Sequence, residues 1–439
     1  MTNPKRKEKI VGISHVAESQ TPAFNPWLIW FPAALFYCYQ FILRVSPSVM
    51  EHDLMKDFAI DGGMFGLLAS FYYFGYCAFQ IPLGLMADYF GPRKLLTFAA
   101  LLCAFATIIF ATSTNIYLAG LARFFIGAGS SCAFLGSMKL GTLWFPAKRL
   151  PLITGATIFL GTMGANLGGK PLRLLSNSYD WRTSLLIVAG FGVLIGATIW
   201  FVSRDESSNN KTKSSDTKNG PPVFEGLKMI FATPQVWLGS LYGFMLYAPL
   251  SVFADLWGTG FIEKTYKIPT AQASEYVNYI YIGLAIGALL YAWMVEKFMK
   301  ITTGLTISTL GVGIPFIVLL LVPDLPLNVM LMLLFTVGVM IGGQFLSFSF
   351  TCSHMPVHFS GVTIGITNMV TMLSGLVFQP IIGMILDNLW KGEMKDGVRV
   401  FEASDYRSAL LVVPICVIIA FIISLFLKEK SSQYINKNI

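Results

Sequence analysis

Charged residues are scarce in this sequence of 439 residues. They make up 12% of the chain, about half of the roughly 25% that is typical of soluble globular domains. Hydrophobic residues make up 55%, and the mean hydropathy is +0.65. The low charge excludes an ordinary soluble domain. The hydrophobic excess lies in long runs, which indicates a polytopic membrane protein surrounded by a lipid bilayer.

The motifs of enzymes and metalloproteins are missing as well. The six cysteines form no CxxC pair, so neither a disulfide framework nor a thiolate metal site is expected. No Walker-type loop is present, which excludes ATP as the energy source, and no nucleophile–base constellation is visible. His354 and His358 are separated by Pro356 and have no further ligands nearby. We therefore expect no catalytic residue, no metal and no cofactor.

The hydrophobic runs predict twelve transmembrane helices, each close to the roughly 20 residues that cross a bilayer. An even number places both chain ends on one side. Lys and Arg in the connecting segments favour the cytoplasm for that side by about two to one, which also explains the net charge of +8 without a nucleic-acid partner. The predicted spans are 27–50, 63–86, 95–114, 117–140, 150–172, 182–203, 236–258, 276–296, 303–322, 328–350, 361–385 and 406–427.

Polar segments divide the chain into parts. Residues 203–222 are rich in Ser, Asn, Lys and Asp and contain almost nothing apolar, which is typical of a flexible linker. The predicted fold class is all-α, with two pseudo-symmetric six-helix bundles. The predicted parts are a cytoplasmic N-tail (1–26), an N-terminal bundle (27–203), a cytoplasmic linker (204–235), a C-terminal bundle (236–427) and a cytoplasmic C-tail (428–439).

The connection between spans 2 and 3, GLMADYFGPRK at residues 84–94, organises the topology. Pro92 cannot continue a helix, and Arg93 and Lys94 favour the cytoplasm for this end. A weaker copy, AWMVE at 292–296, follows the second span of the other bundle and also precedes bases. Two similar halves joined by a polar linker are typical of a rocking transporter, with its substrate site between the halves near the membrane midplane.

The chain resembles the major facilitator superfamily over nearly its whole length. Residues 84–94 resemble the family's loop motif between spans 2 and 3, and RFFIGAG at 123–129 resembles its span-4 motif. The segment around Arg44 resembles the organic anion and sugar-phosphate branches, in which the matching arginine receives a carboxylate or phosphate. A looser resemblance links it to phagosomal amino-acid transporters of intracellular bacteria. The resemblance implies a twelve-helix secondary transporter.

Arg44 is the leading candidate for binding a substrate. A charge inside a bilayer costs about 2.5 kcal/mol or more unless it faces a cavity or a partner. Tyr37, Gln40 and Arg44 share one helical face, so the first two can assist the arginine fork in binding an anionic group. The alternative is a structural arginine that bonds to carbonyls or reaches the outer headgroups.

Further candidates lie on other spans. Arg123 has the same predicted depth as Arg44, roughly 9 Å below the outer membrane edge at 1.5 Å per residue, so the two can share a cavity. Its alternative role is a hydrogen bond between helices of the N-terminal bundle. Four polar residues can also contact a substrate, with a helix–helix bond as the alternative for each: Asn166, Tyr279, Gln344 and Asn368.

Four charged residues are candidates for gating or coupling. Asp255, late in span 7, can pair with Arg44 across the bundles as an outer gate, and its alternative is an acid at the membrane interface. Asp88 and Arg93 are predicted to form an inner latch, in which Asp88 caps a helix start across the bundles in the outward-facing state. Glu296 would be the looser counterpart of this latch.

These features predict a secondary active transporter in the bacterial inner membrane, working by alternating access and driven by protons or by exchange. The expected substrate is a small anionic or zwitterionic metabolite, such as an organic acid, an amino acid or peptide, or a sugar phosphate. We expect a monomer that interacts with this small molecule, with lipid and with protons where transport is proton-coupled. The alternatives are a drug or metabolite efflux transporter of the same family and a non-transporting receptor with the same fold.

Overall fold

The structure, a computed structural model, describes residues 25–205 and 223–429, apart from the side chains of residues 81, 83–89, 147, 151, 223 and 224. Most of the predicted N-tail, linker and C-tail therefore lies outside the described residues. We call residues 25–205 the N-terminal half and residues 223–429 the C-terminal half. The division into the bundles 27–203 and 236–427 stays a prediction.

Helices dominate the described residues, as expected where hydrophobic segments must satisfy their own backbone groups within lipid. The α-helices of the N-terminal half are α1 (Pro26–Val49), α2 (Glu51–Phe58), α3 (Gly62–Phe90), α4 (Pro92–Thr112), α5 (Ile116–Ser130), α6 (Cys132–Trp144), α7 (Leu150–Gly168), α8 (Lys170–Tyr179) and α9 (Trp181–Val202). Those of the C-terminal half are α10 (Val223–Phe231), α11 (Pro234–Leu246), α12 (Gly258–Tyr266), α13 (Thr270–Lys297), α14 (Ile301–Leu321), α15 (Leu327–Ile341), α16 (Leu346–Ser353), α17 (Ser360–Leu389), α18 (Ala403–Leu410) and α19 (Val412–Phe426).

Several predicted spans consist of consecutive helical pieces. Span 4 is interrupted at Ser131 and span 12 at Leu411. A 3₁₀ segment, Gly342–Phe345, joins α15 to α16 in span 10, and a π-helix, Pro249–Trp257, joins α11 to α12 in span 7. Short 3₁₀ turns at Ala147–Arg149 and Val357–Phe359 precede α7 and α17. These segments lie where the spans were predicted, but their backbone is not the uninterrupted α-helix that hydropathy leads one to expect.

The described residues contain ten helical segments that are long and apolar enough to cross a membrane. They coincide with ten of the predicted spans, and the other two, 63–86 and 150–172, coincide with α3 and α7. Large apolar side chains such as Phe98, Leu194 and Phe201 are 63%, 62% and 74% exposed, as expected of a surface that faces lipid. The all-α polytopic architecture is confirmed, and the count of twelve spans stays a prediction.

The two ends of the molecule differ. At one end, β1 (Met394–Lys395) and β2 (Val398–Arg399) form an antiparallel hairpin between α17 and α18, and we call this the hairpin end. The sequence did not predict this hairpin. At the opposite end, Asp205 contacts the start of α4, and Gly226 of α10 lies beside Phe359. We call this the linker end because residues 205 and 223 flank the linker there.

The halves meet along two pairs of helices, α3 with α17 and α7 with α13. The antiparallel pair α3 and α17 is packed from the hairpin end as far as Cys77, whose Sγ donates to an α17 carbonyl at 3.3 Å. Nearer the linker end, no described atom outside the adjoining backbone of α17 lies within 4 Å of the position that a Cβ would take on Gly361 or Gly365. The pair α7 and α13 still meets there at Gly155 and Leu289. The halves are thus closed at the hairpin end, whereas the described residues leave Gly361 and Gly365 in the first turns of α17 uncovered.

Candidate functional site

Arg44 of α1 and Asp255 of the π-helix form an ion pair between the halves. The residues are 5% and 1% exposed. The guanidinium donates to Oδ2 of Asp255 through Nε at 2.8 Å and through Nη2 at 2.5 Å. Charge-assisted bonds of this kind let both charges remain buried. The expected contact is present, whereas the alternatives of a headgroup-facing arginine and an interfacial acid do not fit this burial.

Three tyrosine hydroxyls make further hydrogen bonds to this pair. Tyr73 of α3 donates to Oδ2 of Asp255, and Tyr281 of α13 donates to Oδ1. Nη2 of Arg44 donates to the hydroxyl of Tyr247. The guanidinium carbon also lies 5.4 Å and 5.5 Å from the ring centroids of Tyr73 and Tyr247, within the range of cation–π attraction. We call these five residues the Arg44–Asp255 cluster.

The charges of the cluster balance within it. Arg44 supplies one positive charge and Asp255 one negative charge, and the three tyrosines add neutral hydroxyls that bond to one or the other. If a second anion bound Arg44 beside Asp255, one negative charge would be buried without a partner. Binding therefore requires that Asp255 take up a proton or move to water. The arrangement can therefore exchange one acidic group for another on the same guanidinium.

Asp255 owes its position to the irregular backbone of span 7. Pro249 has no backbone N–H and cannot make the bond of a regular α-helix, and the N–H groups of Leu250 and Ser251 both donate to the carbonyl of Tyr247. The carbonyl of Ser251 accepts from Nε2 of Gln379 on α17 at 2.7 Å. A π segment turns the residues that follow it and is frequent at functional sites. The proline at 249 was the sequence signal for it.

The other members of the predicted α1 stripe have separate surroundings. Gln40 is 2% exposed, and its Oε1 accepts from the hydroxyl of Tyr72 at 2.6 Å. Tyr37 is half-buried, with its ring centroid 5.3 Å from Phe41 and 5.5 Å from Phe134. Gln40 is held within the N-terminal half, while Tyr37 keeps part of its surface exposed.

Arg123 of α5 lies inside the N-terminal half. It is 2% exposed, and its Nη1 and Nη2 donate to the carbonyls of Leu43 at 2.8 Å and Ala69 at 3.4 Å. The guanidinium carbon is 5.4 Å from the ring centroid of Tyr72. Its Nε has no hydrogen-bond partner among the described residues. Arg123 thus ties α5 to α1 and α3, which is the alternative role that the sequence left open.

The remaining substrate candidates are dispersed. Asn166 of α7 donates to the carbonyl one turn earlier at 2.9 Å, and Nδ2 of Asn368 on α17 lies 3.5 Å from the hydroxyl of Tyr76 on α3. Tyr279 of α13 is half-buried, and Gln344 of the 3₁₀ segment is 2% exposed. Within residues 25–205 and 223–429, none of the four candidates has a hydrogen bond to the Arg44–Asp255 cluster.

The predicted latch residues lie at the linker end. The backbone N–H of Arg93 donates to Asp205 at 2.7 Å, and its Nε donates to the carbonyl of Trp200 at 2.9 Å. These contacts hold α4 against the end of α9 within the N-terminal half. Glu296 is exposed near the end of α13. Asp88 belongs to the last turn of α3, but its side chain lies outside the described part, so the inner latch stays a prediction.

Sequence reasoning missed Tyr73 as a partner of Asp255. Tyr72, Tyr73 and Tyr76 lie close together in a largely apolar span. Buried tyrosine hydroxyls usually find a hydrogen-bond partner, so this group could have marked α3 as lining a polar site. It also missed the acids of the hairpin end, Glu51 and Asp387.

A charged cavity of about 360 Å³ lies at the hairpin end, outside the cluster. Oε1 of Glu51 accepts from Tyr406 of the other half at 2.7 Å. Burial raises the pKa of the Glu51 carboxyl to about 7 in spite of this hydrogen bond. No group of three or more His, Cys, Asp and Glu side chains in the described ranges could hold a metal ion. Charged residues lining the cavity include Glu51, Arg173, Glu263, Lys264 and Arg399.

Comparisons with known proteins agree with this architecture. A solved bacterial homolog of the human lysosomal transporter Spinster, in an inward-facing and unoccupied conformation, superposes with a TM-score of 0.72 at 15% identity, covering 92% of this chain and 96% of that one. This likeness concerns the fold.

Sequence relatives point the same way. An uncharacterized transporter of Bacillus subtilis, YybO, is 24% identical over 296 residues, which are 64% of this chain and 67% of the relative. A probable sulfoacetate transporter of Cupriavidus necator, SauU, is 25% identical over 177 residues, which are 40% of this chain and 41% of the relative. The family model of the Major Facilitator Superfamily matches residues 30–379. Because that match covers most of the sequence, the chain belongs to the major facilitator superfamily of membrane transporters.

Proposed function

We propose that this protein is a secondary transporter that moves a small organic anion across the membrane by alternating access. The Arg44–Asp255 pair carries this proposal. Its partners belong to different halves of the chain and are both buried. An ion pair that only stabilised one half would survive a rocking motion, whereas this pair must break when the halves separate at its level. Its bonds therefore change with the conformational state.

The chemistry of Arg44 supports an anionic substrate. Its planar fork matches a carboxylate, sulfonate or phosphate group, and in this conformation it already holds a carboxylate. The relative named as a probable sulfoacetate transporter would carry a molecule with two such groups. A substrate anion would take the place of Asp255 on Arg44. We therefore narrow the expected anionic or zwitterionic class to organic anions.

Two energy sources fit this competition. In proton-coupled symport, a proton on Asp255 would cancel its charge and release Arg44 for the substrate. In exchange, a second anion would displace the first from Arg44, and Asp255 would hold the guanidinium between the two events. In both cases either Asp255 or the substrate anion balances the positive charge of Arg44 in the resting and the loaded states, which limits the cost of a buried charge inside the membrane.

We propose the following arrangement in the membrane. The hairpin end faces outward, and the linker end with both termini faces the cytoplasm of a bacterial cell, following the distribution of bases. Tyr37, Asn166, Tyr279 and Asn368 are half-buried and are proposed substrate contacts, as are the buried Gln40 and Gln344. Arg123 acts as a scaffold residue. Asp88, Arg93 and Glu296 act at the linker end in the outward-facing state, and the transporter works as a monomer.

Counterflow of a labelled anion in proteoliposomes tests this function. Arg44→Ala should reduce the rate by about a hundredfold, because the loss of a buried charge partner costs several kcal/mol, and Arg44→Lys should retain part of it. Lys228→Ala, which removes an exposed base from α10, is the matched control. Undiminished transport of apolar drugs by Arg44→Ala would favour the efflux alternative. Binding without any exchange in the wild type would favour the receptor.

The labelled anion for that assay can be chosen by thermal-shift screening of the purified protein. The panel contains sulfonates, dicarboxylates, sugar acids, sugar phosphates, amino acids and dipeptides. A ligand that binds only the folded protein raises the melting temperature by mass action. We expect the shift to be confined to anions and to disappear in Arg44→Ala. A shift with neutral compounds alone would contradict the proposed substrate class.

A further inference from the structure

Asp387, near the end of α17, caps the first turn of α3 in the other half. Its Oδ1 accepts from the backbone N–H of Gly62 at 3.0 Å, and its Oδ2 accepts from that of Gly63 at 2.6 Å. The next N–H, that of Met64, is capped by Asp61, the residue immediately before α3. The first N–H groups of a helix have no partner inside the helix. Two of those in α3 are therefore satisfied by a carboxylate that belongs to the opposite half.

The β-hairpin positions this carboxylate. Nη1 of Arg399 on β2 donates to Oδ1 of Asp387 at 2.9 Å, and the side chains are 32% and 14% exposed. The guanidinium carbon of Arg399 lies 4.8 Å from the ring centroid of Trp390, which restrains it further. The contact thus combines a helix start, an acid and a base, and the positive end of the helix dipole favours the acid at this place.

The backbones approach too closely here for any side chain to intervene. A Cβ on Gly383, one turn before Asp387, would lie 2.1 Å from the carbonyl oxygen of Gly62. Any residue other than glycine at 383 would hold the ends of α3 and α17 apart. The carboxylate can therefore reach the two N–H groups only when the halves are fully closed at the hairpin end.

The same pair of helices has the matching parts at the linker end. Helix α17 begins there with Ser360 and Gly361, and α3 ends there two residues after Asp88. No described residue outside α17 covers Gly361 in this conformation. Each helix thus has an aspartate near its end and one or two glycines at its start, and the hairpin-end set is engaged in this conformation.

We propose that Asp387, positioned by Arg399, is a latch that holds the transporter closed at the hairpin end and must release Gly62 and Gly63 before it can open there. The proposal rests on the proposed alternating access. Loss of the charge should lower the ratio of hairpin-closed to hairpin-open molecules by about tenfold to a hundredfold, the range for charge-assisted hydrogen bonds.

Hydrogen exchange measured by mass spectrometry on the full-length protein in lipid nanodiscs tests the latch. In Asp387→Asn, we expect faster exchange at residues 62–66 and slower exchange at residues 360–368, because the linker end closes when the hairpin end opens. The matched control is Asp180→Asn, since Oδ1 of Asp180 caps Thr183 at 2.8 Å within the N-terminal half. This control should change its own helix start and leave residues 360–368 unaffected.

Two further variants separate a latch from a simple cap. Gly383→Ala removes no charge but keeps the helix ends apart, so it should reproduce the opposite changes at the two ends. Arg399→Gln should do so more weakly, because it only frees the carboxylate. If Asp387→Asn and Gly383→Ala speed exchange at residues 62–66 without slowing it at 360–368, Asp387 is only a helix cap and the latch is disproved.

The readout does not depend on transport. A wild-type protein that shows no counterflow but still gives opposite exchange changes in Asp387→Asn would contradict the proposed function and retain the latch. Active counterflow together with unchanged exchange at both ends in Asp387→Asn would contradict the latch alone.

Discussion

Nη2 of Arg44 and Oδ2 of Asp255 lie 2.5 Å apart, although the two residues are separated by 211 positions in the chain. Their bond links α1 of one half to the π-helix of the other and is buried among tyrosines. The pair can thus stabilise the conformation that is closed at the hairpin end. It also marks the place where a substrate anion would compete with Asp255 for Arg44.

Breaking this pair from one side should be more harmful than removing it altogether. Asp255→Leu leaves Arg44 buried without a counter-charge, and Arg44→Leu leaves Asp255 in the same position, each at a cost of about 3–5 kcal/mol. The double variant replaces both charges with apolar groups and should recover most of the loss. Thermal unfolding in detergent measures the three variants. If the decrease in stability of the double variant equalled the sum of the decreases in the two single variants, the two residues would not be coupled.

Arg123 should behave differently from Arg44 in transport and in stability. Arg123→Lys keeps the positive charge but loses the fork that reaches the carbonyls of Leu43 and Ala69. We expect a melting temperature several degrees lower and an unchanged KM for the transported anion. Arg44→Lys, in the same assay, should raise KM. If Arg123→Lys raised KM with no loss of stability, Arg123 would be a substrate contact instead of a scaffold residue.

The pairing of Arg44 with Asp255 could be predicted because burial of a charge in a membrane is costly. Few acids lie within the spans, and the cost requires that the arginine and such an acid find partners. The tyrosines around the pair could not be assigned in the same way. Their contacts depend on the rotation of each helix about its axis, and in span 7 the π-helix that begins at Pro249 alters that rotation.

The contacts at the hairpin end could not be predicted from the sequence for another reason. Asp387 bonds to the backbone N–H groups of Gly62 and Gly63, and backbone donors have no signature in the sequence. An acid close to a helix end is also unremarkable, because water can satisfy it. Only the packing of α17 on α3 shows that this acid has a partner in the other half.

Glu51 should make closure of the hairpin end sensitive to pH. Tyr406 donates to it from the other half, Glu263 and Lys264 line the same cavity, and burial raises its pKa to about 7. Opening would return the carboxyl to water and to its usual pKa near 4.5. Protonation therefore favours the closed form, and this contribution is full below about pH 4.5 and is lost as the pH rises through about 7.

Glu51→Gln, which mimics the protonated acid, provides the test. Exchange rates at residues 62–66 are compared between the variant and the wild type at each pH, so the intrinsic pH dependence of exchange cancels. At pH 8 the wild type should exchange about a hundredfold faster than the variant, and at pH 4 the two should be nearly equal. A ratio that does not change with pH would show that Glu51 does not contribute to closure.

The exposed pair of Lys170 and Glu275 should contribute to the same closure weakly and in a salt-dependent way. Nζ of Lys170 lies 2.7 Å from Oε2 of Glu275 in the other half, and the side chains are 44% and 47% exposed. Surface pairs of this kind are worth about 0.2–1 kcal/mol. Glu275→Lys should therefore reduce the closed fraction by no more than about tenfold. The swap Lys170→Glu/Glu275→Lys should restore it.

High salt separates this surface pair from the Asp387 latch. In 1 M salt, where charges are screened within about 3 Å, the effect of Glu275→Lys should largely disappear in the exchange assay. The effect of Asp387→Asn should persist, because Asp387 is only 14% exposed. Equal salt sensitivity of the two variants would mean that both act through general surface charge, and the closure of the hairpin end would then have to be explained by apolar packing alone.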